Sequence, residues 1–315
     1  MLNYILRRLL YAVPILIGVL VLTFLLFRVF QSPEKIAFHK LGPKATAEQK
    51  AKFIAREGLD KPIPVQLAQY IGDTARLDFG ESWKHDRKVS AVFAEGIGPT
   101  LLITLPGFAI GILAALGLAL YQVFVRNSVA DSALTILCVG LMSVPTVVYI
   151  IACQAIFALQ LNYFPATGFE WSDTIAGTLR FVALPFAILA ITNIGYDGRM
   201  FRAVFLEEIG QDYVRTAHAK GLGSARILRT HVLKNGLIAI ITLTVGQLPK
   251  LIMGSLLIES FFGIPGMGSV LVQSIQQGDQ PVVMASVFLG AVLYLFALIL
   301  TDILYAFADP RIRLS

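Results

Sequence analysis

The chain is built from long uncharged apolar runs separated by polar stretches. Arg7 and Arg8 are followed by nineteen uncharged residues, 9–27. At ~1.5 Å per helical residue this run nearly crosses the ~30 Å hydrocarbon core of a bilayer. A secretory signal has a shorter apolar region and a small-x-small cleavage site, and neither is evident here. The run therefore reads as a retained first transmembrane helix. Residues 98–125 carry no charge, and neither do residues 132–169. In the latter stretch Pro145 is expected to kink a helix, and residues 162–165 to end it near the interface. Six spans fit the pattern: 9–30, 99–123, 132–157, 178–197, 236–259 and 282–307. Arg180 and Lys250 interrupt the fourth and fifth. The expected fold class is an all-α membrane protein with six transmembrane helices.

Composition agrees with this pattern. The chain is 56% hydrophobic and 15% charged, with a mean hydropathy of +0.73, whereas soluble domains carry about 25% charged residues. A net charge of +6 could suit nucleic acid, but the basic residues sit beside apolar spans, as the positive-inside bias requires. With the amino end in the cytoplasm, the inside segments hold 12 Lys/Arg, among them Arg126, Arg199, Arg202, Arg311 and Arg313. The short outside loops, 158–177 and 260–281, hold none. Both termini are thus expected in the cytoplasm. Cys138 and Cys153 lie 15 residues apart in one apolar segment, roughly 22 Å along a helix, too far for an intrahelical disulfide. No Cys/His cluster suggests a metal site.

Three regions follow: residues 1–30 with the first helix, an extracytoplasmic segment 31–98, and a transmembrane core 99–315 containing a cytoplasmic loop 198–235. Segment 31–98 holds eleven Lys/Arg and nine Asp/Glu, and is long enough to cross the membrane largely regardless of charge. Residues 62–70 and 89–97 have helix-compatible apolar spacing, and 77–83 place aromatics beside a turn. A small folded cap is one reading; a solvated loop with interfacial helices is the other.

The cytoplasmic loop is larger than a connector needs, since 2–8 residues join most helix pairs. Gly221 is placed to end one helix in a left-handed conformation, and Ser224 to cap the next. The result is a helical hairpin. Ile209, Tyr213, Ala217 and Lys220 fall near one face of its first helix. Ile227, Leu228, His231, Val232 and Leu233 form an apolar stripe on the second. Such a hairpin suits anionic lipid headgroups and a protein dock equally well.

Arg215-Thr216-Ala217-His218-Ala219-Lys220-Gly221 resembles the cytoplasmic "EAA" loop of ABC-importer permeases, in particular the "B"-type subunits of dipeptide and oligopeptide systems. Arg215, Thr216 and Ala217 take its first three positions and Gly221 its glycine. His231, Leu233 and Lys234 fall where the general pattern has Ile, Leu and Pro. The missing Glu and Pro are similar to the peptide branch, in which RTARAKGL and HxLRNA are common; His218 replaces an Arg. The likeness extends to residues 4–30, 58–83, 259–283 and 302–314, including the Glu259-x-x-Phe262-x-x-Pro265-Gly266-x-Gly268 stretch. Where the family has Pro-Gly-Asp-Pro after the first span, this chain reads Gln31-Ser32-Pro33-Glu34-Lys35.

The resemblance implies a type I ABC-importer permease in the bacterial inner membrane, without catalysis of its own, moving peptides by alternating access. Glutathione, a nickel chelate or another small solute is the alternative cargo. It implies two ATP-binding subunits that use ATP and Mg, a second homologous permease forming a heterodimer, and an extracytoplasmic substrate-binding protein, all in a lipid setting. No cofactor on this chain and no nucleic acid are implied. The ATPase-coupling residues carried over are Tyr213, Arg215, Thr216, Ala217, Lys220, Gly221, Arg226, Arg229 and Leu233. Ala217 and Gly221 would permit close approach, and Arg226 and Arg229 would supply rim charge.

Lys250, beside Pro249, is a candidate for the translocation pathway near a peptide carboxylate, or a lysine snorkelling to the outer interface. Glu259, Pro265, Gly266 and Gly268 are outer-gate candidates, although a plain tight turn fits them too. Glu259 and Asp302 suit structural pairing near span ends, and Asp197 suits an anchor at the inner end of the fourth span. Gly107, Gly111 and Ala115 allow close helix packing, within the chain or against a sister permease. The sequence has no GxxxxGK[ST], GxSxG or HExxH motif, so hydrolysis of ATP falls to another polypeptide. A stand-alone secondary transporter would call for inverted repeats, and a membrane enzyme for polar groups clustered at one interface; neither pattern is evident.

Overall fold

In lipid every backbone N–H and C=O must be satisfied within the structure, so long apolar runs become helices. A computed structural model of the protein describes residues 2–29 and 31–308. Arg311 and Arg313, which enter the charge count above, lie outside the described residues. The first span is α1 (Leu2–Phe24), continued by a π-helical turn at Leu25–Val29. The segment after the first span folds as α2 (Pro33–Leu41), α3 (Ala47–Arg56) and α4 (Ile63–Ala75). Ser32 caps α2 with Pro33 at its first position, and Thr46 and Gln49 form a reciprocal capping box on α3, each satisfying amides that a helix start leaves unpaired.

Next come α5 (Val89–Phe124), α6 (Val129–Ser143), α7 (Thr146–Cys153) with a π-helical extension at Gln154–Gln160, and α8 (Ile175–Ile209). The hairpin expected in the cytoplasm is α9 (Asp212–Ala219) and α10 (Ser224–Ile227). A π-helical turn at Leu228–Val232 joins α10 to α11 (Leu233–Val245). Then follow α12 (Leu248–Met253), α13 (Leu256–Phe262), α14 (Met267–Gln277) and α15 (Gln280–Ala308). Among the described residues five helical runs are long and apolar enough to cross a membrane, and a sixth if the bent pair α6–α7 counts as one.

Four expectations need correction. Residues 89–97 are not a separate outer helix but the start of α5, which therefore crosses position 98. At ~1.5 Å per residue α5 is about 54 Å long and must protrude well beyond the bilayer. The fourth span does not stop at 197, because α8 runs on to Ile209. The third span is more than kinked: α6 and α7 meet at 90° across Val144 and Pro145. The fifth span is three pieces, interrupted after Val245 and again at Gly254, whose φ is +77°. A side chain with a Cβ rarely adopts that conformation, and Ser255 restarts the helix by accepting from Ile258 N.

α5 packs most extensively on α8. A Cβ at Gly107 would meet Leu189 Cβ at 3.2 Å, and one at Gly111 would meet Asn193 Cβ at 3.0 Å. The small-residue face thus serves close packing within the chain. Asp131, 4% exposed, accepts from Arg202 Nε and Nη2 at 3.0 and 2.8 Å and ties α6 to α8. Arg8 and Asp302 form a 3.0 Å ion pair between α1 and α15, the pairing expected for Asp302. Cys138 and Cys153 are free thiols.

The cap has its own core of Ile36, Ala37, Phe53, Leu59 and Trp83, with the Phe53 and Trp83 rings edge-on at 6.0 Å. It is latched to the core through Asp279, 1% exposed, just before α15. The Asp279 carboxylate accepts from Ser82 Oγ at 2.5 Å, Trp83 N at 3.0 Å and Lys84 N at 3.2 Å. Lys40 donates to Asp86 at 2.6 Å and holds its carboxyl below the usual carboxylate range. The cap adjoins the Val89 end of α5, and the α9–α10 hairpin packs near Ala115–Val123, so the two lie at opposite ends of one helix.

Candidate functional site

The hairpin is rigid because its apolar residues are buried in its own chain. Val214 and Ala217 of α9, with Ile227, Leu228 and Val232 from the second arm, pack on Phe201 and Phe205 of α8 and on Ala115, Ala119 and Val123 of α5. The inward face of α9 is therefore Val214 and Ala217, while Lys220 is exposed. Gly221 has φ +79°, the left-handed turn expected of it, and its surroundings are open. Gly223, not Ser224, is the extended cap of α10; the chain leaves the turn one residue early. Tyr213 donates its hydroxyl to Glu208, and its ring lies 6.3 Å from that of His231. Burial, followed by the bond to Glu208, pushes the Tyr213 phenol up to about 12.

Of the residues expected to couple to an ATPase, Arg215, Thr216, Lys220, Gly221, Arg226 and Arg229 are exposed. Tyr213 and Leu233 are half-buried, and Ala217 is 4% exposed. The close approach that Ala217 permits is thus inside the hairpin, and no outside surface is open to it. Arg215 is steadied by Asp212 at 3.2 Å. Among the described residues of 201–255 there is no exposed large hydrophobic side chain. The tip is polar and carries four cationic side chains, Arg215, Lys220, Arg226 and Arg229, in a chain whose apolar stripe is already covered.

The outer-gate candidates gather into one buried knot, apart from Pro265, which is exposed. Glu259 is 1% exposed. Its carboxylate accepts from Ser255 N at 3.0 Å, Thr100 Oγ1 at 3.1 Å, Gly268 N at 2.7 Å and Ser269 N at 3.2 Å. Gly268 and Ser269 open α14, so the carboxylate satisfies orphan amides at the positive end of that helix. A Cβ at Gly268 would meet Ser255 C at 2.9 Å and Glu259 Oε2 at 3.0 Å, which explains why glycine is needed there. Thr100 Oγ1 also accepts from Met267 N at 2.8 Å and joins the knot to α5.

Lys250 lies on α12 beside a cavity of about 230 Å³ walled by α5, α8 and α12. Asp197, expected at a span end, is instead inside α8, 1% exposed, and accepts from Gln247 Nε2 at 3.0 Å. Sequence reasoning missed the pairing partners Thr100, Gln247 and Asp279 and the Asp131–Arg202 clamp. The one available signal was the cost of an unpaired acid beside an apolar run, which points to Asp131 and Asp197 but names no partner.

Residues 107–314 match the family described as "Binding-protein-dependent transport system inner membrane component". Residues 1–101 match "Binding-prot-dependent transport system membrane comp, N-term". The chain is 35% identical over 310 residues to a protein of Brucella abortus (strain 2308) named for a peptide transport system permease, covering 98% of each. It is 32% identical over 314 residues to the glutathione transport system permease protein GsiC of Salmonella choleraesuis (strain SC-B67), covering 99% of each. Its fold is similar to a chain of the MetNI methionine ABC transporter in inward-facing form, with a TM-score of 0.53 and 16% identity, over 70% of this chain and 97% of that one.

Proposed function

The chain belongs to the binding-protein-dependent transport system inner membrane components, and from that membership we propose how it couples and what it carries. It is a multi-pass permease subunit of an ABC importer in the inner membrane, and peptides are its main cargo reading. It works with ATPase and binding-protein partners. The finer picture is a heterodimer with a second permease, two ATPases that use ATP and Mg, and both termini of this chain in the cytoplasm. The chain itself carries no catalysis and no cofactor. The cap and the loop around 260–281 receive the binding protein. Glutathione is a second cargo reading, favoured by the 32% identical relative.

The observation that carries the coupling role is the buried apolar stripe of the hairpin. A hairpin made to lie on lipid needs a free apolar face, and here Val214, Ala217, Ile227, Leu228 and Val232 are all covered by α5 and α8. What remains outside is a polar, cationic tip on a stiff base, suited to receive rigid-body motion from a protein cleft. Motion at the tip passes directly into α8 and into the broken fifth span. Opening and closing of the knot around Glu259 and Gly268 then gates the outer side.

The test is Gly221→Trp in the assembled transporter. The variant should insert and accumulate normally, because Gly221 lies outside the buried core, yet fail to import peptide. Gly221→Asn, which tolerates the left-handed turn, should retain most uptake. Normal import by the Trp variant would remove the docking role. Purification from native membranes in mild detergent without any copurifying ATPase would remove the importer assembly.

A further inference from the structure

An acid on α8 and a lysine on α12 lie near one another without forming an ion pair. Asp197 on α8 is 1% exposed, and its Oδ2 has no hydrogen-bond partner among the described residues. Lys250 on α12 is exposed, lies within electrostatic reach of Asp197, and makes no hydrogen bond or ion pair among the described residues. A lysine within an apolar span is costly unless it meets water or a partner, so simple burial would favour closing the pair. Gln247 stands with Asp197 instead. Its Nε2 donates to Asp197 Oδ1 at 3.0 Å and to Leu243 O at 3.3 Å. Both of its N–H bonds are thereby used, its Oε1 accepts no hydrogen bond among the described residues, and the residue lines the cavity.

The cavity has further unused polar capacity. Asn193 lines it and its side chain makes no hydrogen bond among the described residues, and Phe108 closes one side. Access follows from the broken fifth span: α12 is set off by Gly246 and Gln247 at one end and by Gly254 at the other. Discontinuous helices near the midplane are the usual places where membrane carriers build polar sites. The accessible charge is the cation, since Asp197 is buried beside Gln247 and is not itself a wall of the cavity. At about 230 Å³ the space is below the roughly 300–1,000 Å³ of pockets that enclose a whole small-molecule ligand. It fits one end of a larger cargo.

We propose that this cavity is a carboxylate subsite on the translocation pathway. The Lys250 ammonium and the Asn193 amide hold the terminal carboxylate of a peptide, and Gln247 Oε1 accepts the neighbouring peptide N–H. Asp197 fixes the Gln247 amide so that this acceptor is presented. The proposal rests on the peptide-importer reading.

The experiment uses the complete transporter in proteoliposomes with its binding protein and ATP. Uptake of a tripeptide with a free carboxyl terminus is compared with that of the same tripeptide as its carboxyl amide. Each rate is divided by the rate of the unaltered complex, which cancels any preference of the binding protein. Lys250→Met should lower uptake of the acid about tenfold or more relative to the amide, the loss expected for a hydrogen bond to a charged group. Lys250→Arg should keep the preference, and Asn193→Ala should lower it in the same direction. Equal losses for both peptides in Lys250→Met, or no loss for either, would overturn the carboxylate assignment. If Lys250→Met fails to insert, Lys250→Gln supplies the same double ratio. Failure of the unaltered complex to import either peptide would sink the peptide reading, and this subsite with it.

Discussion

Glu259 accepts four hydrogen bonds, three of them from backbone amides that have no other partner in their helices. Replacing it with Gln keeps the size but leaves one acceptor oxygen, and it turns an N–H₂ group toward other donors. The expected cost is about 2–4 kcal/mol, seen as a lower midpoint of thermal unfolding for the detergent-solubilised complex. An unchanged midpoint would mean that the knot is not a stability element. The motif singled out Glu259, Gly266 and Gly268 in the sequence. What it did not reveal is that one carboxylate serves the break at Gly254–Ser255, the first turn of α14 and also Thr100 of α5, 159 positions away.

At the scale of elements, the main surprise is how far helices continue past their apolar windows. Hydropathy reports where lipid can surround a helix, and α8 leaves that zone near Asp197 without losing its backbone bonds. The charges at Asp197, Arg199 and Arg202 therefore ended the expected span but not the helix. The reverse holds in the fifth span, where composition stays apolar while the backbone breaks at Gly254. Asp131, in the first turn of α6, is clamped to Arg202 of α8 and fixes the end of α6 away from its 90° bend with α7. Breaking a buried pair by removing one partner leaves a lone charge, at about 3–5 kcal/mol. Asp131→Asn should approach the lower end of that range, since Arg202 keeps some exposure to water. A double-mutant cycle with Arg202→Gln in thermal unfolding is the check; additive effects would deny the clamp.

For the whole molecule, Asp279 links the outer cap to the start of α15, while the hairpin is seated on the far ends of α5 and α8. α5 spans the distance between them. A binding event on the cap and a push on the hairpin thus act on opposite ends of the same helix, α5. Asp279→Ala should release the 82–88 turn, which contains Lys84, Arg87 and Lys88. Trypsin should then cut there several-fold faster in the purified complex, because cleavage follows local opening. Uptake that depends on the binding protein should fall with it. A digestion pattern identical to that of the unaltered chain would deny the latch.

The sequence by itself determined the all-α membrane class, the placement of the apolar runs, the helical hairpin with its left-handed Gly221, and the family resemblance. Each of these is written in neighbouring residues: apolar length, flanking charge and turn chemistry are local properties. Only the tertiary structure decided which face of the hairpin is covered, that Ala217 points inward, and that the small-residue stripe of α5 meets α8. It alone brought Gln247 and Lys250 to one cavity wall, with Asp197 buried behind Gln247. Several of those relations join residues far apart in the chain, as Asp197 and Gln247 do across 50 positions. A buried polar side chain reveals that it needs a partner, and packing chooses which one it gets.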